Sequence, residues 1–281
     1  MTGPTREHVD VDGTSVSYLV AGPETEPPVV LLHGGGFDAA AVSWKHVLPD
    51  LAEHRRLYAP DWPGYGDSDP VPDGVEPTID YYSGVLGSFL DALGVERAAL
   101  VGLSMGGGAA LGFALEHPGR VERLVAVDAY GLGGEVPGGR LGTLVFGSRL
   151  GSKLAWGLIK RSRRLCAASI RGTVAADDPE ELVADALAHL DRPDATEAWA
   201  RFQRAEITRD GARTDFTDRL PELVVPALFV HGREDSLVPF GWAERAAGLV
   251  PDGELAALDC GHWSTRERPA ELVERVETFL D

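Results

Sequence analysis

Lysine is nearly missing from this 281-residue chain: Lys45, Lys153 and Lys160 are the only lysines among 26 Lys and Arg, against 44 Asp and Glu. A formal charge of −18 argues against nucleic-acid binding, which requires clustered cations to neutralise phosphates. Evenly spread, that charge would also repel an anionic membrane surface. Two explanations of equal standing account for the excess of acids over lysines: adaptation to concentrated salt, and the arginine codons of a GC-rich genome. Full stability in low-salt buffer would remove the first. Cysteine is equally scarce. Cys166 and Cys260 match neither a metal spacing nor a disulfide framework, and read as buried thiols of a cytoplasmic protein. The polar stretch Met1 to His8 carries no secretory h-region. The uncharged 18-residue run Ala98 to Leu115 contains Gly102, Ser104, Gly106, Gly107 and Gly108, so a strand, turn and helix are expected there instead of a transmembrane segment.

The hydrophobic fraction of 44% with 25% charged residues is that of a globular protein. Residues 8–22 alternate apolar and polar around Asp12-Gly13, the pattern of a hairpin at a sheet edge. Short apolar runs follow at Val29 to Leu32, Leu57 to Ala59, Ala98 to Val101, Leu124 to Val127, Ala227 to Val230 and Leu255 to Leu258. Runs of this length suit strands buried on both faces. Helix-like stretches near 79–93, 106–117, 240–249 and 267–280 lie between them. The alternation predicts an α/β fold, a doubly wound and mostly parallel sheet. It stops between 131 and 220, where helices are expected at about 141–147, 149–165, 179–190 and 195–208 with no convincing strand. The simplest organisation is a core of residues 1–130 and 221–281 with a helical cap, 131–220, inserted between two strands.

The sharpest chemical feature is Gly102-Leu103-Ser104-Met105-Gly106, between an apolar strand and a helix. Glycines flank the serine because the chain must turn from strand to helix too tightly for side chains, which holds the serine oxygen exposed above the sheet. A serine hydroxyl needs a base, usually histidine, and the histidine needs a carboxylate to orient it. On such a sheet the partners should follow in the order Ser, acid, His, each just past a strand end. Asp235 in His231-Gly232-Arg233-Glu234-Asp235 and His262 in Asp259-Cys260-Gly261-His262-Trp263 satisfy order and placement. Asp128, also at a strand end, is the reserve acid. Backbone donors for an oxyanion are expected from Gly35, in His33-Gly34-Gly35-Gly36, and from Met105. Gly36 and Trp263 are candidate substrate contacts, and His33 reads as an anchor for its own loop.

Together with Asp61-Trp62-Pro63-Gly64-Tyr65-Gly66-Asp67-Ser68, these pieces make the core resemble an α/β-hydrolase over roughly residues 8–130 and 220–281. The resemblance implies that the stretch around Asp61 is a structural turn. Epoxide hydrolases and haloalkane dehalogenases of that family carry Asp where this chain has Ser104. The most similar subgroups are carboxylesterases, enol-lactone hydrolases and meta-cleavage product hydrolases, which split carbon–carbon bonds. The last group typically has Asn before the nucleophile and Asn shortly after the loop tryptophan. Here Leu103 and, after Trp44, Lys45 and His46 stand in those places. The expected activity is therefore hydrolysis of a small carboxylic ester or lactone through an acyl-enzyme on Ser104, with no metal or organic cofactor. Carbon–carbon hydrolysis and a non-catalytic ligand receptor remain as alternatives. Oligomeric state is left open.

Charge is segregated within the cap. Between Glu135 and Asp177 there is no acid, while Arg140, Arg149, Lys153, Lys160, Arg161, Arg163, Arg164 and Arg171 supply eight positive charges, so the rest of the chain carries −26. Leucines interleave with the cations. Three roles compete: a solvated cap face above an acidic core, a cation turned into the pocket to hold a substrate carboxylate, and contact with a lipid surface or an acidic partner.

Overall fold

A computed structural model describes residues 3–136, 139–176, 179–190 and 196–281. Asp177, which bounds the acid-free stretch, and position 195, where a helix is expected to begin, lie outside the described residues, as does the side chain of Arg140. The chain opens with β1 (Thr5–Val11) and β2 (Thr14–Ala21), then β3 (Val29–Leu32), α1 (Ala40–Ser43), α2 (Leu48–Leu51), β4 (Leu57–Pro60) and α3 (Ile79–Ala92). There follow β5 (Ala98–Leu103), α4 (Met105–Glu116) and β6 (Val121–Val127). The inserted segment holds α5 (Gly139–Phe146), α6 (Arg149–Arg161), α7 (Arg163–Arg171), α8 (Glu180–Leu190), α9 (Glu197–Glu206) and two short strands, β7 (Ile207–Thr208) and β8 (Gly211–Ala212). The chain returns to the sheet with β9 (Ala227–Gly232), α10 (Phe240–Leu249), β10 (Gly253–Leu258), α11 (Ser264–Glu267) and α12 (Pro269–Leu280).

Eight strands form one sheet in the order β1-β2-β4-β3-β5-β6-β9-β10. The pairs β1·β2 and β2·β4 are antiparallel and the others parallel. The hairpin turns at Asp12-Gly13, both with positive φ (52° and 83°), the backbone twist a two-residue hairpin needs. Side chains leave each strand alternately to its two faces. Val30 and Leu32 join the layer of α3, α4 and α10, whereas Val29 and Leu31 join that of α2 and α12. Two apolar layers on one mostly parallel sheet make the fold doubly wound.

Three details differ from the sequence expectation. The stretch expected as one helix over 149–165 breaks at Ser162, whose side chain accepts the Leu165 N–H at 3.3 Å and so starts α7 anew. The cap also contains the β7–β8 pair, too short to leave a periodic signal. Finally, Leu255 to Leu258 lies on an edge strand: β10 pairs only with β9, and Leu255 is partly exposed.

Candidate active site

The tip of β5 sets the site. Ser104 has φ 51° and ψ −116°, a conformation that a side chain rarely adopts. Its glycine neighbours are required by close approach: a Cβ on Gly102 would lie 2.5 Å from the Gly106 carbonyl oxygen, and one on Gly106 would lie 2.4 Å from that of Leu32. The hydroxyl is thereby lifted clear of the sheet, directly before α4.

Ser104, His262 and Asp235 come together in one hydrogen-bonded chain. His262 Nε2 is 3.0 Å from Ser104 Oγ, and Nδ1 is 2.7 Å from Asp235 Oδ2. Asp235 Oδ1 accepts the N–H groups of Leu237 at 2.7 Å and Val238 at 3.0 Å, which fixes the carboxylate plane. Burial works to lower the His262 pKa, but the Asp235 carboxylate, with Asp128 and Asp38 beyond it, outweighs burial and leaves the ring more basic than usual. Burial likewise opposes charge on Asp235, yet His262 and His231 hold that carboxyl well below the ordinary range.

Asp128 occupies a different place from the one considered for it. Its Oδ1 accepts the Gly232 N–H at 2.8 Å and its Oδ2 the Ser264 N–H at 3.3 Å, so it ties the end of β6 to the end of β9 and to the segment after His262. His231, unremarked in the sequence, stands between the two acids. Its Nε2 lies 2.9 Å from the Val238 carbonyl and 3.3 Å from Asp235 Oδ2; its buried Nδ1 lies 4.0 Å from Asp128 Oδ1 with no hydrogen-bond partner among the described residues. Asp128, His231 and Asp235 bring potential metal-ligand atoms within 4.8 Å of one another. Backbone N–H groups and His262 already engage both carboxylates, and the carbonyl beside His231 Nε2 calls for a proton there. The trio is a brace for the relay.

Across from Ser104 runs the glycine loop. A Cβ on Gly34 would lie 3.3 Å from the Ser104 Cβ, and one on Gly35 would lie 2.3 Å from the Trp199 ring. Two buried side chains hold this loop. His33 Nδ1 donates to Gly34 O at 2.7 Å while its Nε2 accepts the Trp62 N–H at 3.0 Å. Burial lowers the His33 pKa, in keeping with a neutral ring that accepts at Nε2. Asp38 accepts the Gly34 N–H at 2.7 Å and the Ser43 hydroxyl at 2.5 Å. No periodic or motif signal marks Asp38. The Met105 N–H lies in the first turn of α4, where amides have no intrahelical acceptor and the helix dipole favours negative charge. Asp61 is buried; it binds the Arg6 guanidinium at 2.6 Å and the N–H groups of Ala40 and Asp67, as a structural turn would.

These groups open onto a cavity of about 360 Å³. Gly35, Gly36, Ser104, His262 and Trp263 line its floor; Phe146, Trp156, Ile159, Trp199 and Phe202 line the cap side. Gln203, whose Oε1 accepts the Trp156 indole N–H at 2.7 Å, and Glu206 are polar cap residues that the sequence did not single out. No Lys or Arg lines the cavity among the described residues, so none of the described cap cations is turned inward to hold a carboxylate. Cap and core are joined at several places, among them Arg201 on the Val71 and Pro72 carbonyls and Asp185 on Lys45 and Arg266, and one junction lies beside the histidine loop. Thr173 O accepts the His262 N–H at 2.8 Å, Thr173 Oγ1 accepts the Trp263 indole N–H at 3.0 Å, and Glu267 accepts the N–H groups of Ala175, Ala176 and Gly261.

A serine hydroxyl joined to an imidazole that a carboxylate orients, facing a glycine loop across an apolar cavity, is the arrangement by which serine hydrolases attack a carbonyl. The chain belongs to the α/β-hydrolase fold family, whose description matches residues 27–269. It is 32% identical over 265 residues to a 2-hydroxy-6-oxo-2,4-heptadienoate hydrolase of Pseudomonas putida, covering 90% of this chain and 88% of that one. Among solved structures it resembles a meta-cleavage product hydrolase from Pseudomonas fluorescens IP01 (TM-score 0.81, 26% identity, 98% of this chain and 97% of the other). It also resembles a bacterial membrane phospholipase A (TM-score 0.79, 26% identity, 99% and 86%). The protein is thus a hydrolase of this fold. No helix among the described residues is long and apolar enough to cross a membrane.

Proposed function

We propose that the protein hydrolyses a neutral carboxylic ester or lactone with an apolar acyl group through an acyl-enzyme on Ser104. In this reading Ser104 Oγ attacks the carbonyl while His262 Nε2 takes its proton. Asp235 keeps the Nδ1–H tautomer in place and stabilises the imidazolium. The N–H groups of Gly35 and Met105 hold the oxyanion. His262 returns the proton to the leaving alcohol, then takes one from the water that cleaves the acyl-enzyme. Residues 131–220 act as the cap, with Gly36 and Trp263 touching substrate on the floor.

The observation that carries the choice of substrate is the cavity lining, mostly apolar on the cap side, with Gln203 and Glu206 as polar groups and without Lys or Arg among the described residues. A dienoate carries a carboxylate, and burying that charge without a paired cation costs several kcal/mol, roughly. A second reading, carbon–carbon hydrolysis of such an acid, is favoured by the names of relatives at 30% identity and above. Kinship alone does not choose the bond, since the phospholipase A stands at a similar distance. The experiment is a comparison of kcat/KM on p-nitrophenyl butyrate, an enol-lactone and a 2-hydroxy-6-oxo-dienoate, with mass spectrometry of the enzyme in a single turnover. A transient acyl adduct on Ser104 and preference for the neutral substrates are expected. Ser104→Ala should remove turnover and leave the melting temperature near that of the parent. Preference for the dienoate, or activity retained in Ser104→Ala, would overturn the proposal.

A further inference from the structure

Helix α6 has two unlike faces. Inward, Ser152 is buried, and Trp156 and Ile159 line the cavity. Outward, Leu150, Leu154 and Leu158 are 70%, 65% and 61% exposed, and at about 100° per residue they fall within an arc of roughly 80°. Leu144 on α5, 70% exposed, and Leu165 on α7, 41% exposed, lie on the helices that precede and follow α6. Of eight large apolar side chains exposed among the described residues, five lie between positions 144 and 165. Single exposed leucines need no explanation, but three on one face of α6 with two more on the helices either side of it do.

Cations border that surface. Arg149 and Lys153 are exposed on one flank of the α6 stripe, Arg161 follows at its C-terminal end, and Arg164 is exposed in the first turn of α7. No acid interrupts them from position 136 to 176, although the protein as a whole carries −18. An apolar stripe edged with Arg and Lys matches the boundary between the headgroups and acyl chains of an anionic bilayer: leucines enter the acyl region and cations meet the phosphates. A second copy is a poorer occupant. A two-fold contact would set this basic surface against itself, and docking on the acidic core of another copy would be a heterologous contact, which has to end in a ring or run on as a filament.

We propose that the α5–α7 face of the cap docks on an anionic lipid surface. Docking holds the acidic core away from the bilayer and lets only the basic cap approach, so the −18 charge orients the molecule instead of excluding it. The same helix forms a wall of the cavity, which brings the site within one helix thickness of the lipid. This inference does not depend on which bond the enzyme splits.

The test is flotation of the full chain with vesicles of phosphatidylcholine and phosphatidylglycerol in equal parts, against pure phosphatidylcholine, at low salt and at 0.5 M NaCl. Binding is expected to the phosphatidylglycerol vesicles alone and to weaken in salt. Replacing both Arg149 and Lys153 by Gln should weaken it roughly twenty-five-fold, at about fivefold per cation. The triple change Leu150→Glu, Leu154→Glu, Leu158→Glu should abolish it. Both variants should keep the parent's melting temperature and its turnover of soluble p-nitrophenyl butyrate. Absence of binding at low salt, or unchanged binding by both variants, would overturn the proposal. So would a dimer in sedimentation that the triple change dissociates, with no vesicle bound, since the occupant would then be a second copy.

Discussion

Two buried acids lie near His262, and substituting each by asparagine should separate their roles. In Asp235→Asn the amide has one favourable orientation: its carbonyl must take the place of Oδ1, which accepts two N–H groups, so its NH₂ replaces Oδ2 at 2.7 Å from His262 Nδ1. The amide then donates to Nδ1 and drives the ring proton onto Nε2, 3.0 Å from Ser104 Oγ, where a base is needed. The wrong tautomer in an otherwise intact triad lowers kcat by about 10⁴, which is about 5 kcal/mol of barrier. In Asp128→Asn the amide NH₂ must instead face one of the N–H groups of Gly232 and Ser264 that the carboxylate accepts. That removes about 1–3 kcal/mol of stability, read at about 2–4 °C of melting temperature per kcal/mol for a chain of this size, with turnover within about tenfold of the parent. Initial rates on p-nitrophenyl butyrate and thermal melts by circular dichroism supply both readings. Asp235→Asn within tenfold of the parent, or a thousandfold loss in Asp128→Asn without unfolding, would refute the assignment and pass the orienting role to Asp128.

Three further outcomes are expected. His262 must be neutral to accept a proton and its pKa is raised, so kcat/KM should fall with decreasing pH around a midpoint above about 6.5; a midpoint below that value in a pH–rate profile would contradict the ring environment described. Ser104→Gly should be inactive yet more stable by about 1 kcal/mol, because releasing the strain at φ 51° outweighs the lost hydroxyl contact; a lower melting temperature would count against strain. Glu267→Ala leaves three N–H groups without their carboxylate and should lower stability by about 1–3 kcal/mol while raising KM, and unchanged values for both would remove Glu267 from the fastening of the cap.

Much of the core was legible because its signals are local. The runs at Val29 to Leu32 and Ala227 to Val230 are short, apolar and uninterrupted because β3 and β9 are buried on both faces. The run at Leu255 to Leu258 looks the same yet lies on the edge, since strand order is a property of the whole sheet. Ser104, Asp235 and His262 could be found together because strand ends all face one side of a parallel sheet, so order along the chain implies proximity. What supports them could not. His231 stands beside the relay and Asp38 beside the glycine loop through contacts that no spacing encodes. In the cap, the break at Ser162 depends on one side-chain hydrogen bond, and the facing of each cation depends on tertiary packing; that α6 is amphipathic is legible in its spacing, but that Trp156 and not the leucine stripe turns inward appears only once the helix is laid on α9.

The Thr173 carbonyl bonded to the His262 N–H has a consequence for recombining such proteins. A cap taken from a relative brings its own pocket lining, but it also supplies the acceptor that keeps the histidine loop in register. Exchange of the whole insertion therefore replaces part of the catalytic scaffold along with specificity. A graft on this sheet has to retain the 172–176 segment or reproduce its carbonyl and amides against Gly261, His262 and Glu267. Exchange of α5 and α6 alone changes the cavity wall and leaves that junction in place.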